Sequence, residues 1–134
     1  MEKVFIVDDD SDDRQIIMQA FVENYSQVGC LFFENAGQLL NKMNTEGNDL
    51  PDLVLLDLNM PGITGLQALK EIRQNKKFAQ IPIIVLTTSK LKKDRVSSYE
   101  LGANCFLTKP DSYSKLIKIV DAVIKLWLFE EPVG

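Results

Sequence analysis

Apolar residues fall along the chain in two alternating kinds of run. Lys3 to Val7 (Lys-Val-Phe-Ile-Val) is short and almost wholly apolar, and Leu31 to Phe33, Leu53 to Leu56, Ile83 to Leu86 and Cys105 to Leu107 repeat it. Runs of that length and continuity predict strands covered on both faces, because a half-exposed strand would alternate apolar with polar. Between them, apolar positions recur at helical spacing: Ile16, Ile17, Ala20 and Phe21 in one segment, Leu66, Leu69 and Ile72 in another. Ser11 and Asp12 are predicted to cap the first helix and Ser112 the last. Gly102 follows the fourth helical segment, where a glycine commonly ends a helix. Five strands alternating with five helices predict an α/β fold, a (βα)5 doubly wound, five-stranded parallel sheet with helices on both faces. Right-handed crossovers favour the flavodoxin-like order 2-1-3-4-5.

Length changes little in this picture: 134 residues predict a single domain over 1–134, with a short C-terminal tail and no attached effector domain. Apolar residues make up 46% and charged residues 25% of the chain, and the net charge is −4. No basic cluster tracks one face, which argues against nucleic acid as a direct partner. No apolar run approaches the ~20 residues a membrane span needs. The start runs directly into a strand without a signal-type apolar region, so a cytoplasmic location is expected. Histidine is absent, which removes imidazole as base, metal ligand or phosphate carrier. Cys30 and Cys105 sit in apolar stretches and read as reduced, buried thiols.

In such a sheet a ligand site lies beyond the carboxyl ends of the strands, beside strands 1 and 3. The residues ending those strands are therefore the informative ones. Strand 1 ends in Asp8-Asp9, strand 3 in Asp57, strand 4 in Thr87 and strand 5 at Lys109. Taken singly each has a bland explanation: an acidic helix start, a turn carboxylate, a β-branched strand residue, a solvated loop lysine. Their joint appearance at successive strand ends points to one site. Three carboxylates converging there would repel unless a cation lay among them, and hard oxygen ligands suit Mg²⁺. An ionised carboxylate is a competent nucleophile toward phosphorus, Lys109 offers a point charge to phosphoryl oxygens, and the Thr87 hydroxyl can donate to one.

At these residues the sequence resembles the receiver domains of bacterial response regulators, in particular single-domain, chemotaxis-receiver-like ones. The resemblance is carried by Val7-Asp8-Asp9-Asp10, by Leu56-Asp57-Leu58-Asn59-Met60-Pro61-Gly62-Ile63-Thr64-Gly65, by Val85-Leu86-Thr87-Thr88 and by Gly102 through Pro110. It implies that Asp57 is the phosphoacceptor, taking a phosphoryl group from a sensor histidine kinase or a phosphotransfer protein in two-component signal transduction. It implies Asp9 as a direct Mg²⁺ ligand, Asp8 as one acting mainly through water, and Asn59 as a donor of its backbone carbonyl. Lys109 would pair with the phosphoryl group, and Thr87 with Phe106 would form the switch. Thr88 is bulkier, and Asp111 more polar, than the family pattern leads one to expect. The acidic start Asp10-Ser11-Asp12-Asp13 and the Thr87-Thr88-Ser89 run are similar to single-domain receivers paired with phytochrome-type kinases; Asp12 and Asp13 are equally those of a solvated first turn.

Two other classes compete. A haloacid-dehalogenase-type phosphohydrolase would place an acid two residues after the nucleophile, where this chain has Asn59, whose amide cannot deliver a proton. A partner-binding pseudo-receiver would have lost the acceptor, an acidic residue or the lysine, and all are present. The expected reading is a switch rather than an enzyme, with output by protein contact to a downstream target. In the last helix, Lys115 to Phe129, a core-facing stripe of Leu116, Ile119, Val120, Val123, Ile124 and Trp127 leaves Leu126, Leu128 and Phe129 surplus. These are either ordinary exposed apolar residues or a seam for a homodimer or a target on the face made by helix 4, strand 5 and helix 5. Because surface patches of this kind usually mark contacts, the seam is the expectation.

Overall fold

The computed structural model describes residues 2–45, 47 and 50–129; the expected C-terminal tail lies outside the described residues. The strands are β1 (Lys3–Val7), β2 (Gly29–Phe33), β3 (Leu53–Leu56), β4 (Ile83–Thr87) and β5 (Cys105–Thr108), paired in parallel in the order 2-1-3-4-5. The helices are α1 (Ser11–Asn24), α2 (Ala36–Asn44), α3 (Gly65–Gln74), α4 (Lys92–Glu100) and α5 (Tyr113–Ile124), with a 3-10 turn at Lys76–Phe78 and a π-helical turn at Lys125–Phe129. The continuous apolar runs have their reason in this arrangement. Val4 and Ile6 face α1 and α5, while Phe5 and Val7 face α2 and α3, so the central strands are covered on both faces, whereas Leu31 on the edge strand β2 is exposed.

Register aligns the strand ends. Val7 is paired with both Phe33 and Leu56, and Leu56 with Val85. One residue further on, the chain leaves β1 at Asp8 and β3 at Asp57, whose amide donates to the carbonyl of Val7 at 3.0 Å. On the other side, Thr87 is paired with Thr108, and the Lys109 amide donates to the carbonyl of Thr87 at 2.6 Å.

The predicted caps are corrected at one end. Ser11 and Asp12 lie inside α1; its N-cap is Asp10, whose side chain accepts from the amides of Asp12 and Asp13. A carboxylate one residue earlier serves both amides, and leaves Ser11 and Asp12 exposed in the first turn. Ser112 caps α5 as expected, and Gly102 ends α4 at φ +104°. There a side chain would also meet Arg73, whose guanidinium donates to the carbonyls of Gly102 and Phe78 and to the Asn104 side chain, each at 2.9 Å.

The C-terminal residues of the expected seam are partly engaged within the chain. Leu128 packs against the core, and the Phe129 ring stacks on Tyr25 at 5.9 Å between centroids. The Tyr25 hydroxyl donates to Asp121, tying the end of α1 to α5. Leu126 stands clear at 62% exposure, and Phe129, though stacked on one side, is still 39% exposed. The reason is the wider π-helical winding after Ile124, which brings Leu128 and Phe129 toward α1. Further exposed apolar area comes from Leu91, Val96 and Tyr99.

Helix α3 approaches the end of β3 so closely that a Cβ at Gly65 would lie 2.3 Å from the carbonyl oxygen of Asp57. Because backbone rather than a pliant side chain is in the way, Gly65→Ala should cost roughly 2 kcal/mol or more in urea unfolding. It should also displace the Asp57 amide signal in NMR spectra. A substitution neutral on both counts would show that the loop has slack.

Candidate functional site

The strand ends bring the expected residues together. Asp8 and Asp57 are almost fully buried, at 2% and 5% exposure, whereas Asp9 is exposed. One carboxylate oxygen from each of Asp8, Asp9 and Asp57 lies within 4.8 Å of the others. That spacing and an all-oxygen donor set fit a hard divalent cation bound partly through water. Asn59 is exposed one turn of chain beyond Asp57. Its amide nitrogen reaches across the site to the hydroxyls of Thr88 and Thr87, at 3.4 and 3.5 Å. Thr88 is thus one pillar of a bridge over the rim.

Lys109 is the positive charge of the site. Its ammonium is 2.6 Å from Asp8, 2.7 Å from Asp13 and 3.3 Å from Asp57. Burial alone would lower its pKa, but the hydrogen bonds it donates to Asp13 and Asp8 outweigh burial and hold it above its ordinary value. Burial pushes the Asp8 carboxyl up to about 6, against the opposing pull of Lys109 and of the Asp10 amide. The backbone carbonyl of Asp8 accepts from Arg14 at 2.7 Å, which fixes the start of α1 against the site.

Asp57 is held loosely. One oxygen accepts from the Asn59 amide and the other from Lys109, both at 3.3 Å. These distances lie at the long end for hydrogen bonds to a charged group. A buried carboxylate with only long contacts retains lone pairs for an incoming electrophile. Thr87 is fully buried, and its hydroxyl oxygen accepts at 3.4 Å from the Ser89 amide and at 3.5 Å from Asn59. Phe106 lies inward, its amide donating to the Tyr99 hydroxyl at 3.0 Å, with the Arg95 guanidinium 5.7 Å from its ring centre. Asp111 sits at the open rim with Thr88, Lys90 and Thr108. Cys30 and Cys105 are half-buried free thiols away from these groups; burial pushes the Cys30 thiol up to about 12, so it stays protonated.

One residue of the site escaped the sequence reading. Asp13 belongs to the expected solvated turn, yet its carboxylate is a direct Lys109 partner across 96 positions of chain. The signal that could have found it is helical position: three residues after the cap, a side chain points back over the helix start.

The family model described as the response regulator receiver domain matches residues 4–121. Response regulator Rcp1 of Synechocystis is 45% identical over 83 residues, which are 62% of this chain. The chain spans 56% of that relative's length. Among solved structures, the Mn²⁺-bound form of Rcp1 is similar with a TM-score of 0.91 at 29% identity, covering 100% of this chain and 99% of that one. Phosphorylated RcpA, a cyanobacterial phytochrome response regulator, is similar with a TM-score of 0.90 at 32% identity, covering 95% and 94%.

The Asp8 shift has a sign that can be tested. A carboxyl whose pKa rises from 3.8 unfolded to about 6 folded favours the fold when protonated. Its contribution is complete below about 3.8 and is lost as pH rises through 6. In chelator-treated protein, Asp8→Asn should therefore raise stability at pH 7.5 by about 1–3 kcal/mol. That advantage should shrink as the pH falls from 7 to 4. Denaturant titrations across that range check it, and a gain independent of pH would contradict it.

Proposed function

The chain belongs to the response regulator receiver domain family of two-component signalling proteins, and from that premise we propose that Asp57 is its phosphoacceptor. The family consists of signalling proteins rather than enzymes, which sets the phosphohydrolase reading aside. The observation that carries the proposal is the buried Asp57 carboxylate at the end of β3, loosely hydrogen-bonded, beside Lys109 and two further carboxylates. The donor is a sensor histidine kinase or a phosphotransfer protein. An Asp57 oxygen forms the new P–O bond while the donor's P–N bond breaks, and the imidazole leaves with the electron pair and takes up a proton.

Asp8, Asp9 and Asp57, with the backbone carbonyl of Asn59, would hold Mg²⁺. When bound, the ion supplies charge neutralisation between carboxylates and phosphoryl oxygens. Lys109 stays charged among its carboxylates and turns toward the phosphoryl oxygens as they arrive. The Thr87 hydroxyl, committed only to two long contacts, is free to donate to one of them. Its shift would change the space beside the already buried Phe106, and because phenylalanine has no hydroxyl the response rests on packing. A phosphoryl group moves such an equilibrium only through better contacts with one conformer. The output face is α4–β5–α5, where Leu91, Val96 and Tyr99 supply exposed apolar area for a downstream target or a second copy of the chain. Residues 1–134 act as a single receiver domain at work in the cytoplasm; no helix among the described residues is long and apolar enough to cross a membrane.

Acetyl phosphate with Mg²⁺ should add one phosphoryl group by intact mass, and Asp57→Asn should abolish it while remaining folded. Equal labelling of both proteins would sink the assignment.

Lys109→Ala and Thr87→Ala should separate charge pairing from switching. Lys109→Ala should slow phosphorylation. Thr87→Ala should leave labelling intact yet blunt the shift of Phe106 signals in NMR spectra on adding beryllofluoride; a full-sized shift would remove Thr87 from the switch.

A further inference from the structure

We propose that Asp13 is a positioning residue for the Lys109 ammonium, holding it off Asp57 and so setting how strongly the site takes up an anionic phosphoryl group. The inference rests on the acceptor reading of Asp57 and adds a residue to it. Asp13 is the third residue of α1, where a carboxylate would ordinarily reach back to the amide of the N-cap residue. That amide, of Asp10, is already taken by Asp8 at 3.0 Å. Asp13 is thereby released, and its carboxylate accepts from Lys109 at 2.7 Å while remaining 22% exposed.

The three contacts of Lys109 are unequal. The two short ones go to Asp8 and Asp13, and the long one, at 3.3 Å, goes to Asp57. Asp8 is one of the carboxylates whose spacing fits a cation; Asp13 is not among them. When a cation draws on Asp8, Asp13 is the partner left to anchor the ammonium away from the acceptor. Asp13 also keeps a negative charge 2.7 Å from the ammonium that an arriving phosphoryl group would approach. Its removal should therefore release the ammonium toward Asp57 and reduce repulsion of an anion, while doing nothing to help a cation bind. Damage to the fold would instead weaken both ligands, so the two responses separate positioning from structure.

The test is calorimetric titration of the full chain with Mg²⁺ alone, and with beryllofluoride in saturating Mg²⁺. Asp13→Asn should bind beryllofluoride about threefold to tenfold more tightly than the parent, the scale of one nearby, partly screened charge. Its Mg²⁺ affinity should be unchanged or lower. Asp13→Glu, which keeps a carboxylate within reach of Lys109, should behave as the parent does. Asp12→Asn removes the same charge one residue away on an exposed side chain, and should change neither affinity. Should Asp13→Asn lose thermal stability, Asp13→Ser, a residue at home in a first helical turn, carries the same expectation. Parent binding with an Asp13→Asn affinity equal to or weaker than the parent's overturns this inference alone. An equal gain in Asp12→Asn does the same, by showing a diffuse charge effect. A parent that takes no beryllofluoride overturns the acceptor reading together with this one.

Discussion

Burying carboxylates at one end of a parallel sheet costs solvation that mutual attraction must return, and the Lys109 ammonium is where it returns. Asp8, Asp13 and Asp57 reach it from β1, α1 and β3, while Lys109 itself leaves β5. One cation thus joins elements far apart in sequence. Removing the ammonium strands buried carboxylates, whereas the intact group contributes little net stability. Its value is geometric. It fixes the mouth of the site while leaving the excess negative charge that a divalent cation would neutralise, and Asp57 keeps the weakest grip on the shared ammonium.

The frame around that cluster is rigid where the chemistry needs it. Gly65 lets α3 begin in contact with the backbone of Asp57, and the Thr64–Gln67 capping box fixes the direction in which the helix departs. At its far end Arg73 bonds to Gly102, Phe78 and Asn104, so α3 is tied to the α4–β5 turn. The mobile candidates are correspondingly few. Thr87 and Asn59 meet at 3.5 Å, and Phe106 lies under an arginine rather than being locked by a side-chain hydrogen bond.

Much of this was written locally. The apolar runs gave β1 and β3 their full extents, and residues ending the strands named the acidic group, Thr87 and Lys109, because a parallel sheet brings its carboxyl ends to one edge. What local pattern could not supply was side-chain direction across long sequence separations. Asp13 looks identical to Asp12 in sequence, yet one meets Lys109 and the other faces water. The cap moved from Ser11 and Asp12 to Asp10 because Asp, Ser and Asp in succession are all competent, and only backbone geometry chooses among them. Leu128 packs on the core, against expectation, because helical periodicity was carried through a turn that winds differently.

The clasp between Tyr25 and Asp121 has a consequence for how the molecule is born. α1 and α5 cover the same face of the sheet, and the residues of that clasp stand 96 positions apart. A nascent chain leaving the ribosome therefore carries the apolar side of α1, with Ile17 and Phe21, for most of its synthesis before its covering helix exists. The first half cannot complete a core of its own, so the last helix closes the fold rather than ornamenting it. Until α5 emerges, that uncovered stripe is the surface a chaperone would meet.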